Sequence, residues 1–336
     1  MGLAVNPLAT PSVAAATTPL LVVEDLSIEF PTERGVLRAV RGISYEIAAG
    51  RTLGVVGESG CGKSMTALAV MGLVPSHGAV GGHIRFMGTD LAGLGEAAYR
   101  RLRGSRIAMI FQEPMTALNP VIPVGDQIGE VMQLHQGLSR TAARKEAVRL
   151  LDDVGIPSPA ARAADYPHQL SGGMRQRAVI AMALAGDPAL LIADEPTTAL
   201  DVTIQAQILE LMLELQDRTG MAIQFISHNL GVVSELADEI IVMYAGRVVE
   251  RATAADLFAT PLHPYTRGLI ATLPDLTRRE VRLPTIPGGV PDPVGGMAGC
   301  RFADRCPRAD AGCRVAIPPL ETLATGHSVA CFKAAA

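Results

Sequence analysis

Residues 57–64 read GESGCGKS, and residues 170–177 read LSGGMRQR. In the first segment Gly57, Gly60 and Gly62 let the backbone turn sharply and aim successive N–H groups at one point. That suits a phosphate chain lying at the start of the following helix. Lys63 can then reach the β- and γ-phosphates, and the Ser64 hydroxyl can take one position on Mg²⁺. Glu58, Ser59 and Cys61, with Met65 just beyond, belong to the same cradle, where backbone carries the chemistry and the Cys61 thiol is incidental. In the second segment Ser171-Gly172-Gly173 opens an apolar helix starting at Met174, so a second set of free N–H groups faces an anion. One phosphate chain does not need two such sites within one domain. The economical reading is a nucleotide sandwiched between two copies of the domain, each lending its second segment to the other.

The elements that must position these groups can be read around them. Residues 52–56 form a short apolar run suited to a buried strand, followed by the loop and a helix over 65–71. Residues 189–193 form another continuous apolar strand, ending in Asp194-Glu195. Carboxylates at the C-terminal end of a parallel strand fall where α/β folds bind ligands. Neighbouring residues on a strand point to opposite sides, so the two acids are expected to have different roles. Further strands are predicted over 107–111 and 222–226, and a hairpin over 239–244 and 247–251 turns at Ala245-Gly246. A helix over 142–154 puts Val148, Leu151 and Val154 on one face, and another spans 174–185.

Taken together, the two glycine motifs and the acidic strand end resemble the ATP-binding-cassette ATPases, with LSGGM as their signature, here Ser171, Gly172, Gly173 and Met174. The resemblance implies that Asp194 holds Mg²⁺ with Ser64 and Gln112, and that Glu195 acts as general base. It makes His228 the switch histidine at the γ-phosphate and Gln112 a sensor of Mg²⁺ and the attacking water. Ala199-Leu200-Asp201 matches the loop that crosses the dimer seam, and Phe30 sits where the family stacks adenine on an aromatic ring. The implied fold is α/β: a RecA-like P-loop core, an antiparallel β subdomain near the N-terminus, and a helical subdomain over about 115–185.

Composition bounds the setting. Of 336 residues 49% are hydrophobic, yet no uncharged apolar run approaches the roughly 18 residues needed to cross a bilayer. The net charge of −4 gives no general reason to expect nucleic acid as a partner. Residues 1–19, rich in Ala, Pro and Thr without Lys or Arg, read as a disordered tail rather than a signal peptide.

Residues 112–120, QEPMTALNP, followed by VIPVGDQ, form an irregular stretch inside the helical subdomain. They are similar to a segment of bacterial ATPases that power peptide importers. Met115, Leu118 and Val121 are expected to offer apolar contacts to a membrane subunit. Beyond residue 262 a proline-bounded helix over 263–274 and a Pro- and Gly-rich stretch over 284–299 resemble the C-terminal extension of the dipeptide, oligopeptide and nickel importer subfamily. A domain boundary between 262 and 263 is expected, with the ATPase domain over 20–262 and the extension over 263–336. Subfamily resemblance implies a second related ATPase, two permeases and an extracytoplasmic peptide-binding protein as partners, with this chain on the cytoplasmic face of the membrane. Nickel or another small solute is an alternative cargo, and a soluble ATPase acting on DNA or ribosomes is an alternative function. A third reading makes the chain chiefly a redox-sensing interaction module.

That third reading stems from the cysteines. Cys300, Cys306, Cys313 and Cys331 are separated by 5, 6 and 17 residues. In a reducing compartment such a cluster argues against structural disulfides. Four thiolates suit zinc or a [4Fe–4S] cluster. Zinc sites usually pair ligands at closer spacing, and the subfamily resemblance favours iron–sulfur; free buried thiols complete the alternatives.

Overall fold

The computed structural model describes residues 19–112, 117–198, 200–273, 284–295 and 298–334. The tail up to residue 18, Met115, Ala199 and Pro274 lie outside the described residues.

The central sheet is built from the apolar runs. Its parallel part contains β3 (Thr52–Val56), β6 (Ile107–Ile110), β7 (Leu190–Asp194), β8 (Ala222–Ser227) and β9 (Glu239–Tyr244), in the order β9-β3-β8-β7-β6. Each side of this sheet is covered, which is why its strands are continuously hydrophobic rather than alternating. On β7, Leu190 and Ile192 join one core while Leu191 and Ala193 join the other, and Ala222 and Ile226 are divided from Ile223 and Phe225 in the same way on β8. One of these cores lies against an antiparallel sheet of β1 (Pro19–Thr32), β2 (Gly35–Ala48), β4 (Ala79–Phe86) and β5 (Thr89–Asp90), ordered β2-β1-β4-β5. The other is filled from the helices Val124–Gln136, Arg140–Asp153 and Gly172–Leu184, which pack on one another and bury Ile128, Ala147, Leu151 and Ala178.

Two helices begin earlier than their apolar patterns. The phosphate-loop helix runs Lys63–Val70, and the signature helix starts at Gly172. Both motifs therefore supply the first helical turn itself, whose N–H groups have no intrahelical acceptor. A larger departure concerns Leu118. It is 3% exposed and belongs to the helical core, so it cannot offer the surface contact expected of it. A local pattern of prolines shows an irregular segment but not which side chains it turns inward.

The C-terminal segment is joined to the rest of the chain through the same sheet. β10 (Arg247–Thr253) pairs with β9 and, on its other edge, with β12 (Ser328–Val329), which in turn pairs with β11 (Glu321–Thr322). On β10 the carboxylate of Glu250 is fully buried and accepts hydrogen bonds from the Leu262 and His263 N–H groups at 2.6 and 2.9 Å; His327 Nε2 lies 2.8 Å from it. A buried acid with several partners from distant segments is a strong constraint, because losing any partner leaves charge uncompensated. Tyr244, Tyr265 and Phe302 form an aromatic cluster with ring centroids 4.7–5.4 Å apart, joining β9 to the helix Pro264–Ala271 and to residue 302.

His263 caps that helix, its Nδ1 accepting the Tyr265 N–H at 3.1 Å. Burial pushes its pKa down to about 4. An unfolded histidine binds a proton near pH 6.5 whereas the buried ring resists until about pH 4, so the unfolded chain holds more protons between the two. Stability should therefore fall as pH drops through that window, by up to about 1.4 kcal/mol per pH unit from this group. His263→Asn keeps a capping acceptor and cannot titrate. Thermal unfolding between pH 7 and pH 4.5 should show a shallower loss for the variant; parallel curves would remove His263 from this role.

Candidate active site

Four segments leave one edge of the parallel sheet. β3, β8, β7 and β6 lie side by side, and at or just beyond their C-terminal ends stand the glycine loop, His228, Asp194-Glu195 and Gln112 respectively. This is the edge where open α/β sheets bind ligands.

The loop is wedged against neighbouring backbone. Gly57 has φ 154° and Gly62 φ 103°; a Cβ on Gly57 would stand 2.2 Å from the Met243 carbonyl oxygen, and one on Gly62 2.5 Å from that of Ala39. Only glycine fits both the conformation and the space. Lys63 is 5% exposed and donates from Nζ to the carbonyls of Gly57 and Glu58 at 2.7 and 3.1 Å. Ser59 and Gly60 are exposed at the tip, while Met65 packs against the core beneath. Cys61 is buried under the loop, where burial pushes its thiol pKa up and Lys63 Nζ lies 3.8 Å from its sulfur.

Asp194 is 3% exposed and its Oδ1 has no hydrogen-bond partner. Burial raises its pKa, with the Ser64 hydroxyl opposing that rise. An orphaned carboxylate oxygen beside a hydroxyl fits hydrated Mg²⁺, which would satisfy the oxygen and favour the ionised form. Glu195 does not continue the strand. Its φ is 49° and its N–H donates to the Ile226 carbonyl at 2.9 Å, so a left-handed turn, not simple strand alternation, separates the two acids. Such a conformation is costly for a side-chain-bearing residue and clusters at functional sites. The Glu195 Oε1 lies 3.2 Å from His228 Nδ1, and Oε2 accepts from the Thr198 hydroxyl at 3.0 Å. Burial opposes ionisation of Glu195, yet the hydrogen bonds from His228 and Thr198 and the charges of His228 and Lys63 outweigh it and hold the carboxyl below its ordinary pKa. Thr198 was not legible as a site residue; its place three residues after Glu195 is the only sequence cue.

The remaining candidates differ in how free they are. Gln112 is exposed just past β6. Phe30 is partly buried, its ring against His77 with centroids 5.2 Å apart and across from Gly78, so part of its surface is already covered. Asp201 caps the helix Val202–Thr219, its Oδ1 accepting the Ile204 N–H at 2.9 Å. Ser171 likewise caps the signature helix through the Met174 N–H at 3.3 Å. Both Ser171 and Gly172 are exposed; a Cβ on Gly172 would meet nothing within 4 Å. Packing within the chain therefore does not demand that glycine.

Cys300, Cys306, Cys313 and Cys331 all line one small cavity of about 20 Å³. Burial raises the thiol pKa of Cys300 and Cys331, and the neighbouring cysteines add to it. Among the described residues no three His, Cys, Asp or Glu side chains form a metal-holding group. Among the described residues the four cysteines thus border one common cavity without forming a site for a single metal ion. Backbone ties set their spacing, the Cys300 N–H donating to the Cys313 carbonyl at 2.7 Å.

Residues 40–198 match a family model described as ABC transporter, and residues 249–313 one described as oligopeptide/dipeptide transporter, C-terminal region. A probable peptide ABC transporter ATP-binding protein of Sinorhizobium fredii is 54% identical over 94% of this chain and 95% of its own. A dipeptide transport ATP-binding protein of Bacillus subtilis is 49% identical over 93% and 94%. Among solved structures, the dimeric ATP-binding cassette MJ0796 bound to ADP and phosphate covers 70% of this chain and 98% of its own at TM-score 0.62 and 24% identity. A cassette from Clostridium perfringens covers 72% and 91% at TM-score 0.61 and 28% identity.

If Glu195 serves as the base, replacing it by Gln takes the base away but leaves Lys63, Asp194 and the loop in place. ATP binding should persist while turnover drops by about 10²–10⁴-fold. Lys63→Ala should instead weaken nucleotide binding itself. Single-turnover hydrolysis beside equilibrium ATP binding separates the two, and full-rate hydrolysis by the Gln variant would contradict the role of Glu195.

Proposed function

The chain belongs to the ATP-binding-cassette ATPases of transporters, and from that premise we propose that it is the subunit that hydrolyses ATP to drive peptide import. The observation that carries this reading is the alignment of the glycine loop, His228, the Asp194-Glu195 pair and Gln112 along one sheet edge. In the proposed reaction the loop N–H groups and Lys63 bind the triphosphate. Bound Mg²⁺, held through Ser64, Asp194 and Gln112, would neutralise charge on the β- and γ-phosphate oxygens. Ionised Glu195, oriented by His228 and Thr198, takes a proton from water as its oxygen bonds to the γ-phosphorus. The bond to the bridging oxygen breaks, and ADP and phosphate leave. Phe30 stacks the adenine, while Ser171, Gly172, Gly173 and Met174 act on the nucleotide of a second cassette, with Asp201 across the seam.

Relatives described as peptide and dipeptide transport ATP-binding proteins support di- or oligopeptides as cargo. The partners are then a second cassette, two permeases and, through them, an extracytoplasmic binding protein. Among the described residues no helix is long and apolar enough to cross a membrane; the place proposed for the chain, beneath the permeases on the cytoplasmic face, rests on its likeness to transporter ATP-binding proteins. The permease contact falls on the helical layer. Val121 is 76% and Leu134 73% exposed, and Ile122, Gly125, Asp126, Gly129, Leu134 and Arg140 line a groove there. The four cysteines are proposed to hold a [4Fe–4S] cluster in a structural role, supported by their lining one common cavity; the thiols would lose their protons on binding.

Two measurements test these assignments. Val121→Asp should leave ATPase activity of the isolated subunit intact and reduce both transporter-stimulated ATPase and uptake; unchanged uptake places the contact elsewhere. Protein purified without oxygen should be brown with about four iron atoms per chain, and Cys306→Ser should lose the colour. Colourless protein with one zinc would replace iron–sulfur by zinc, and four freely alkylated thiols without metal would exclude both.

A further inference from the structure

Glu58 is an acid inside a loop read as the seat of a polyanion. Left free, its carboxylate would repel the phosphates that the loop gathers. It is not free. Arg305, from the C-terminal extension, grips it through two parallel bonds, Nη1 to Oε2 at 2.6 Å and Nη2 to Oε1 at 2.9 Å. The other donors of the guanidinium are also used: Nε to the Pro287 carbonyl at 2.9 Å, Nη2 to that of Ile286 at 3.3 Å, and Nη1 to the Tyr244 hydroxyl at 3.3 Å. With its side chain 5% exposed, Arg305 is fixed in direction before it meets the loop. The extension touches Glu58 a second time, because the Glu58 N–H donates to the Tyr265 hydroxyl at 2.9 Å. Its carbonyl accepts from Lys63. The acid is thus tied to the extension by side chain and backbone and to the phosphate-binding lysine by its carbonyl.

We propose that Arg305 is a positioning residue for nucleotide binding: it cancels the charge of Glu58 and holds the first turn of the phosphate loop, so the C-terminal extension sets the ATP affinity of the core. The inference rests on the reading of residues 57–64 as the ATP site. A packing residue would matter only through the volume it fills. Arg305 matters through a charge, and charge can be tested separately from shape.

The test is a double-mutant cycle on the full-length chain, measuring MgATP affinity at low and moderate salt together with thermal unfolding. Arg305→Ala should weaken ATP binding about tenfold, more at low salt, by uncovering the Glu58 carboxylate. Adding Glu58→Gln to that variant should recover most of the loss although the guanidinium is still missing. Arg305→Lys, which keeps the charge but not the two-pronged grip, should fall between wild type and Ala. Equal affinity of wild type and Arg305→Ala, or a double variant as weak as the single one, would overturn the proposal. Arg305→Met keeps much of the buried volume and carries the same comparison if the Ala variant does not fold. Absence of ATP binding by the wild-type chain would instead overturn the reading of the loop, leaving the two failures distinguishable.

Discussion

The close approach of the phosphate loop to the backbones around it constrains the rest of the molecule. At Gly57 and Gly62 the loop passes so near the Met243 and Ala39 carbonyls that no side chain fits. Those neighbours belong to different sheets: Met243 lies in β9 of the central sheet and Ala39 in β2 of the antiparallel one. The loop is therefore seated where the two sheets meet. Its N–H groups are fixed before a ligand arrives, and little ordering remains to oppose phosphate binding.

The same seating explains how charge is distributed. Lys63 is buried on the loop's own carbonyls, Asp194 has an unpartnered oxygen, and Glu195 is ionised and oriented by two hydrogen bonds. Two adjacent acids acquire different chemistry because their surroundings differ. Burial dominates at Asp194 and leaves one oxygen unpartnered, whereas hydrogen bonds from His228 and Thr198 outweigh burial at Glu195 and favour its ionised form. The left-handed backbone at Glu195 is what lets consecutive residues reach these separate environments.

Much of this was legible in the sequence because the decisive signals are local. Glycines, lysine and serine within eight residues state the phosphate loop, and apolar runs ending in charged residues state buried strands with their functional ends. The burial of Leu118 is not legible in the sequence, since exposure depends on what packs across from a segment, which periodicity does not give. The two-residue strands β11 and β12 exist only because β10 offers an edge; their residues carry no strand pattern of their own. The grip of Arg305 on Glu58 spans 247 residues, and neither residue announces it. The cysteines lie between these cases: their spacing marks a cluster and the fold brings all four to one cavity, while the distances between the thiols depend on packing that spacing does not give.

On this reading one chain holds half of a catalytic site and a second cassette completes it. Specific ATPase activity measured against chain concentration, with sedimentation on the same samples, tests this most directly. A composite site predicts that activity per chain is near zero where the chain sediments as a monomer, and rises as it pairs with a second copy or a related cassette. Full activity per chain in the monomeric range would contradict the account.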